Sequence, residues 1–180
     1  AGSLGVENIK KLRIIKKNSV EKLLKFKFLK NNYIVTYHPE TLSKDFGIKS
    51  LKNLLKYLSK QKDTFIFFTR PNADAGNYEI NSLIKRFVKN YKNSKYIFNL
   101  GDKLYFSILK CCNAIIGNSS SGIIEAPSLK IPTINIGNRQ QGRISSDSVV
   151  NCSKPTYKNL HKIFSQLKST KFLYKIKKVK

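Results

Sequence analysis

Short apolar, β-rich runs alternate along this chain with longer stretches whose apolar residues recur at helical spacing, and this alternation limits the possible folds most. Residues 32–37 (NYIVTY), 64–69 (TFIFFT), 95–100 (KYIFNL), 114–117 (AIIG) and 131–136 (IPTINI) read as five strands. They are nearly continuous in apolar character, as expected for strands buried on both faces. Between them, Leu51, Leu54, Leu55 and Leu58 share one helical face, as do Ile80, Leu83, Ile84, Phe87 and Val88. Further helices fit residues 102–112, 121–128 and 156–168. Strand–helix–strand alternation with right-handed crossovers predicts an α/β fold, a Rossmann-like doubly wound parallel sheet. The 180 residues are enough for one domain with one sizeable core. No repeat and no Ser/Gly/Pro-rich linker divides them.

In such a sheet, ligands bind outside the carboxyl ends of the strands. The segments that follow the predicted strands are Tyr37-His38-Pro39, Arg70-Pro71-Asn72-Ala73-Asp74-Ala75-Gly76, Leu100-Gly101, Gly117 to Gly122 (GNSSSG) and Gly137-Asn138-Arg139-Gln140. All are polar, small or glycine-rich, and together they suggest one site. GNSSSGIIEA at 117–126 is the strongest of them. Gly117 and Gly122 permit close backbone approach. The serines offer hydroxyls and N–H groups to an anion at a helix start, and Glu125, expected in the first turn, can accept from a vicinal diol. The same residues also fit a serine-capped helix with an acid in its first turn. His38 is either a phosphate donor or a satisfied loop histidine, and Arg139 either a diphosphate contact or a surface cation. Asp74 is read as a turn residue before a ligand contact. The pattern is not G-x-G-x-x-G, so a nicotinamide cofactor is not indicated, and no cofactor is expected.

Charge pulls in a different direction. A formal net charge of +25 suggests an anionic partner. The lysines, however, are spread along the whole chain, and Trp and Met are absent while Lys, Asn, Ile, Phe and Tyr abound. That pattern fits an AT-rich coding sequence. The expected partner is a small anion such as a nucleoside diphosphate, with no nucleic acid and no membrane. No run approaches the roughly 20 apolar residues of a membrane span, and no secretory signal is evident. Cys111, Cys112 and Cys152 lack metal-ligand spacing and read as inert thiols of a reducing, cytoplasmic compartment. The AGSLG opening, without Met, reads as the cut edge of a longer chain.

HPE at 38–40, RPNADAG at 70–76, GNSSSGIIEAPS at 117–128 and PTINIGNRQQGR at 132–143 resemble, in order and separation, the C-terminal half of hydrolysing UDP-N-acetylglucosamine 2-epimerases. The resemblance covers roughly residues 4–168, and its two longest blocks are highly specific. It implies one half of a two-domain GT-B architecture, the half that holds UDP, with the N-terminal domain absent. It implies substrate contacts from His38, Asn72, Leu100 (through its backbone, to uracil), Ser119, Ser120, Glu125 and Arg139. His38 would also stabilise the leaving group. The acid/base carboxylates would lie in the other half, so the catalytic residues are unknown here and this chain is expected to be catalytically incomplete. In the full protein the implied reaction converts UDP-N-acetylglucosamine to UDP and N-acetylmannosamine, in sialic or legionaminic acid synthesis, and family members are commonly homodimers. The alternatives are a UDP-N,N'-diacetylbacillosamine 2-epimerase, a non-catalytic nucleotide-sugar-binding remnant and, from the charge, a nucleic-acid-binding protein.

Overall fold

The computed structural model describes Ile9, residues 12–98 and residues 100–178. Six parallel strands form one sheet: β1 (Asn31–Thr36), β2 (Thr64–Thr69), β3 (Ser94–Ile97), β4 (Ala114–Gly117), β5 (Thr133–Ile136) and β6 (Val149–Cys152). Their spatial order is β3-β2-β1-β4-β5-β6. The chain therefore builds outward from β1 in one direction, returns, and builds outward from β4 in the other. The doubly wound sheet expected from the alternation is the one observed, with its topological switch between β1 and β4.

The period of two explains why the strands read as continuous apolar runs. Tyr33 and Val35 of β1 and Ile66 and Phe68 of β2 enter one core, with Leu51, Leu54, Leu58, Ile80, Ile84, Leu160 and Phe164. Those partners come from α2 (Ile48–Leu58), α3 (Asn77–Asn90) and α6 (Tyr157–Leu167), and α7 (Thr170–Lys177) adds Phe172 and Ile176. The alternate residues Ile34, Phe65 and Phe67 face the second core, with Val20, Phe106, Ile108 and Leu109. These are supplied by α1 (Lys17–Leu24) and α4 (Gly101–Lys110). Thr156 and Ser169 cap α6 and α7 by accepting from Asn159 N at 3.2 Å and Phe172 N at 3.3 Å.

Several elements depart from the sequence expectation. The third strand stops at Ile97, and Phe98 already lies outside the sheet. The single helix expected over 121–128 is two pieces, α5 (Ser120–Ile124) and a 3-10 turn (Ala126–Leu129). Pro127 has no N–H to give Ile123, so an α-helix cannot run through it. Strand β6 and helices α1 and α7 were not expected. VVNC is too short to announce itself and becomes a strand by pairing with β5, Thr133 opposite Val149 and Ile136 opposite Cys152. In α1 and α7 the abundant lysines dilute the apolar stripe, which buries only Val20 in one, and Phe172 and Ile176 in the other, as apolar anchors.

The cysteines are free thiols, and burial pushes all three thiol pKa values up. They stay protonated and unreactive, as the sequence suggested. Among the described residues, no helix is long and apolar enough to cross a membrane.

Candidate functional site

Because all six strands are parallel, every segment that follows a strand emerges at one edge of the sheet. At the switch point the ends of β1 and β4 run side by side, with Thr36 paired to Gly117. Gly117 has φ +132°, and an added Cβ would lie 2.8 Å from the Thr36 carbonyl carbon and closer still to its oxygen. Only glycine lets β4 leave the sheet this close to β1. Gly122 serves differently. It is helical, and its missing Cβ lets α5 lie on β5, since a Cβ there would be 2.7 Å from Thr133 Cγ2.

Beside that crossing, His38 is 7 % exposed. Its Nδ1 accepts from the main-chain N–H of Asn72 at 2.9 Å, so the neutral ring carries its proton on Nε2. Burial holds the imidazole well below its ordinary value, at about 4. The nearby Arg139 charge lowers it further, and Asp74 opposes the shift. At neutral pH His38 is therefore an uncharged donor, held in one tautomer by a backbone group.

Asn118 lies at the centre of the site and is fully buried. Its Oδ1 accepts from His38 N at 2.7 Å, and its Nδ2 donates to His38 O at 2.8 Å. Its own carbonyl accepts from Arg139 Nη1 at 3.2 Å and Gln140 Nε2 at 2.7 Å. Its N–H donates to Thr36 O at 3.2 Å. The loops after β1, β2, β4 and β5 are thus joined within two residues of Asn118. Sequence reading placed Asn118 within GNSSSG but did not single it out, nor Gln140. Their roles depend on partners 21 to 82 positions away (Arg139 and Thr36 from Asn118 at the two extremes).

The structure brings His38, Asn72 and Arg139 together around Asn118, with Ser119 and Ser120 next in the chain. Ser119 caps α5, its Oγ accepting from Ser121 N at 3.3 Å. Since α5 has only five residues, local hydroxyls and N–H groups matter here more than any macrodipole. Glu125 requires a correction. It lies not in the first turn but at the C-cap of α5, its N–H donating to Ser121 O at 3.0 Å. The helix already begins at Ser120, so Glu125 lies past its first turn, and the break ahead of Pro127 leaves it at the C-cap. Its carboxylate accepts no hydrogen bond among the described residues. The Tyr105 hydroxyl meets Ser121 Oγ at 3.0 Å, and burial raises its pKa to about 12 against a smaller lowering by that bond. Leu100 is the half-buried N-cap residue of α4. Among the described residues, neither Leu100 nor Glu125 hydrogen-bonds to His38, Asn118 or Arg139. Asp74 forms a turn, its carbonyl accepting from Asn77 N at 3.1 Å.

The first-loop carboxylate Glu40 was also missed. Its Oε1 accepts from Tyr37 Oη at 3.3 Å, and its Oε2 from Asn138 N at 3.4 Å. It borders an open cavity of about 760 Å³ shared with Gly47, Asn138 and Arg139. Large apolar side chains stand exposed in three loops that follow strands, Leu42, Phe98 and Ile144, and in the first turns of α3 and α6, Tyr78 and Tyr157. No group of three or more His, Cys, Asp or Glu able to hold a metal occurs among the described residues.

A neutral histidine donor, an arginine and a serine-rich turn converge at the switch point of this sheet. The family model for UDP-N-acetylglucosamine 2-epimerase matches residues 1–179. The chain belongs to the UDP-N-acetylglucosamine 2-epimerase family. It is 39 % identical over 172 residues to a GDP/UDP-N,N'-diacetylbacillosamine 2-epimerase (hydrolyzing) of Campylobacter jejuni, covering 95 % of this chain and 44 % of that protein. It is 42 % identical over 160 residues to polysialic acid biosynthesis protein P7 of Escherichia coli, covering 88 % and 40 %. The fold matches the UDP co-structure of S. aureus MnaA, with TM-score 0.69 at 11 % identity over 99 % of this chain and 48 % of that one. It also matches a Neisseria meningitidis UDP-GlcNAc 2-epimerase bound to UDP-GlcNAc, with TM-score 0.66 at 15 % identity over 98 % and 46 %. The chain spans less than half the length of these relatives.

Proposed function

We propose that this chain is the nucleotide-holding, C-terminal half of a hydrolysing UDP-sugar 2-epimerase. The observation that carries this reading is the convergence of His38 and Arg139 on Asn118, directly before the Ser119-Ser120 turn. A diphosphate across that turn receives Nε2–H from His38, the guanidinium of Arg139 and the serine donors. Glu125 takes the ribose diol, the Leu100 backbone takes the uracil, and Asn72 contacts the nucleotide sugar. In the full protein the C2 proton of the sugar is removed, the C1–O bond breaks, and UDP departs to leave a 2-acetamidoglycal. Water then adds with the opposite configuration at C2. A hydrogen-bond donor and a cation at the leaving phosphate lower the barrier to that C–O cleavage. His38, neutral at physiological pH, shares its Nε2–H in a hydrogen bond and retains that proton throughout. The carboxylates that handle the sugar protons belong to an N-terminal domain. The exposed Leu42, Tyr78, Phe98 and Ile144 on the rim support such a covering surface.

The sugar is N-acetylglucosamine in this reading. The 39 % identity to a diacetylbacillosamine epimerase favours that sugar as the second reading. In either case the product feeds sialic- or legionaminic-type acid synthesis in the cytoplasm, and the assembled protein is a homodimer without a nucleic-acid partner.

The test is calorimetric titration of the chain with UDP, uridine and a short single-stranded DNA at two salt concentrations. Saturable UDP binding, weaker uridine binding and no tight DNA binding are expected. A folded chain that ignores UDP, or binds DNA with steep salt dependence, overturns the reading. Glu125→Ala is expected to weaken UDP binding by about 1–3 kcal/mol, through loss of charge-assisted bonds to the ribose. Unchanged affinity removes Glu125 from the site. Arg139→Ala is expected to reduce UDP affinity more than uridine affinity, since the diphosphate is the one part of the ligand that its guanidinium meets. Equal losses for both ligands would contradict that contact.

A further inference from the structure

We propose that Asn118 is a positioning residue, whose side chain fixes the main chain of His38 while its carbonyl fixes the side chain of Arg139, so that both donors are presented together to one anion. The proposal rests on the diphosphate reading of the site.

The chemistry of the carboxamide is what makes the clamp. A planar amide offers one acceptor and one donor, as a peptide group does. Oδ1 takes the His38 N–H at 2.7 Å, and Nδ2 meets the His38 carbonyl at 2.8 Å. Both main-chain groups of a nearly buried residue are thereby satisfied just where β1 has ended and no strand partner remains. No other side chain of similar size does this. Leucine leaves both groups unpaired. Aspartate keeps the acceptor but turns the donor into an oxygen facing a carbonyl oxygen. Ordinary loop stabilisation would need only these two bonds. The third and fourth bonds, from Arg139 Nη1 and Gln140 Nε2 to the Asn118 carbonyl, go beyond that need. They tie the cation of the β5 loop to the same peptide that leads into Ser119. His38 and Arg139 come from segments about a hundred residues apart, yet each is held by an atom of Asn118.

The test is Asn118→Asp, which preserves shape. The charged groups that face His38 are Arg139 and Asp74, and the variant adds a buried carboxylate beside its main chain. NMR titration of the His38 ring should show its pKa moving up toward the ordinary imidazole value. The Kd for UDP should rise on the order of tenfold, as expected for one lost or misdirected hydrogen-bonding group, with a smaller change for uridine. A folded variant with wild-type His38 titration and wild-type UDP affinity overturns the proposal, even if its Tm falls. If the variant does not fold, the wild-type chain gives the answer. The Asn118 side-chain NH₂ resonances should shift when UDP is added and stay in place with uridine, and immobility with bound UDP overturns the proposal. Failure of the wild type to bind UDP at all defeats the diphosphate reading. The His38 titration of the variant, which needs no ligand, still reports whether Asn118 holds that ring.

Discussion

Gly117→Ala is expected to destabilise the folded chain severely. The methyl group would meet the Thr36 carbonyl, 2.8 Å from its carbon, in a residue whose φ is +132°. Both costs fall at the strand crossing that brings His38 and Asn118 together. Neither backbone can retreat, because Thr36 and Gly117 are paired in the middle of the sheet and Asn118 N–H is bonded to Thr36 O. Backbone strain of this kind costs about 1–3 kcal/mol and overpacking of a tight contact about as much again. The sum, about 2–6 kcal/mol, is a large part of the stability of a domain this size. Urea unfolding followed by circular dichroism measures it. A two-state transition within about 1 kcal/mol of wild type would mean that β1 and β4 can separate, and the switch-point geometry would be wrong. Gly101→Ala is the control: it too has positive φ, but a Cβ there would meet nothing within 4 Å, so its loss should be limited to backbone strain.

Acidification should reveal the second large effect. The His38 imidazole is held at about 4 in the folded chain, chiefly by burial, against 6.5 for the free side chain. A depressed imidazole means that the unfolded chain binds the proton first. Its contribution to stability is therefore fully present above pH 6.5 and is lost as pH falls toward 4. The full loss is on the order of 3 kcal/mol. His38→Asn can still accept from Asn72 N–H but cannot titrate. Carboxylates contribute to acid sensitivity in both proteins, so the difference between the two isolates the ring. Urea midpoints at about pH 7 and about pH 4.5 should show wild type losing about 2–3 kcal/mol more than the variant. Parallel losses would mean that the ring is reached by solvent and charged in the folded state, and that it does not enter the site as a neutral donor.

The strands and the longest helices were legible because their signals are local. Five apolar runs, and leucine or isoleucine at helical spacing, announce β1 to β5, α2 and α3 without reference to anything distant. Strand β6 was not legible, since VVNC acquires strand geometry only beside β5. Helices α1 and α7 were obscured because lysine is a good helix former but carries no burial signal. Glu125 lies outside the first turn because α5 begins as early as Ser120 and ends at Ile124, ahead of Pro127.

The sequence by itself determined that this is a parallel, doubly wound sheet and that its polar strand-end segments share one edge. Those are consequences of periodicity and of glycine, proline and serine placement, and each is decided within about ten residues. Only the tertiary structure decided which members of those segments meet: Asn72 N–H on His38 Nδ1, and Asn118 gripping His38 and Arg139. The physical reason is strand order. β1 and β4 are neighbours only because the chain reverses its direction of growth at the centre of the sheet. A hydrogen bond between residues 80 positions apart depends on that reversal and leaves no trace in either local sequence.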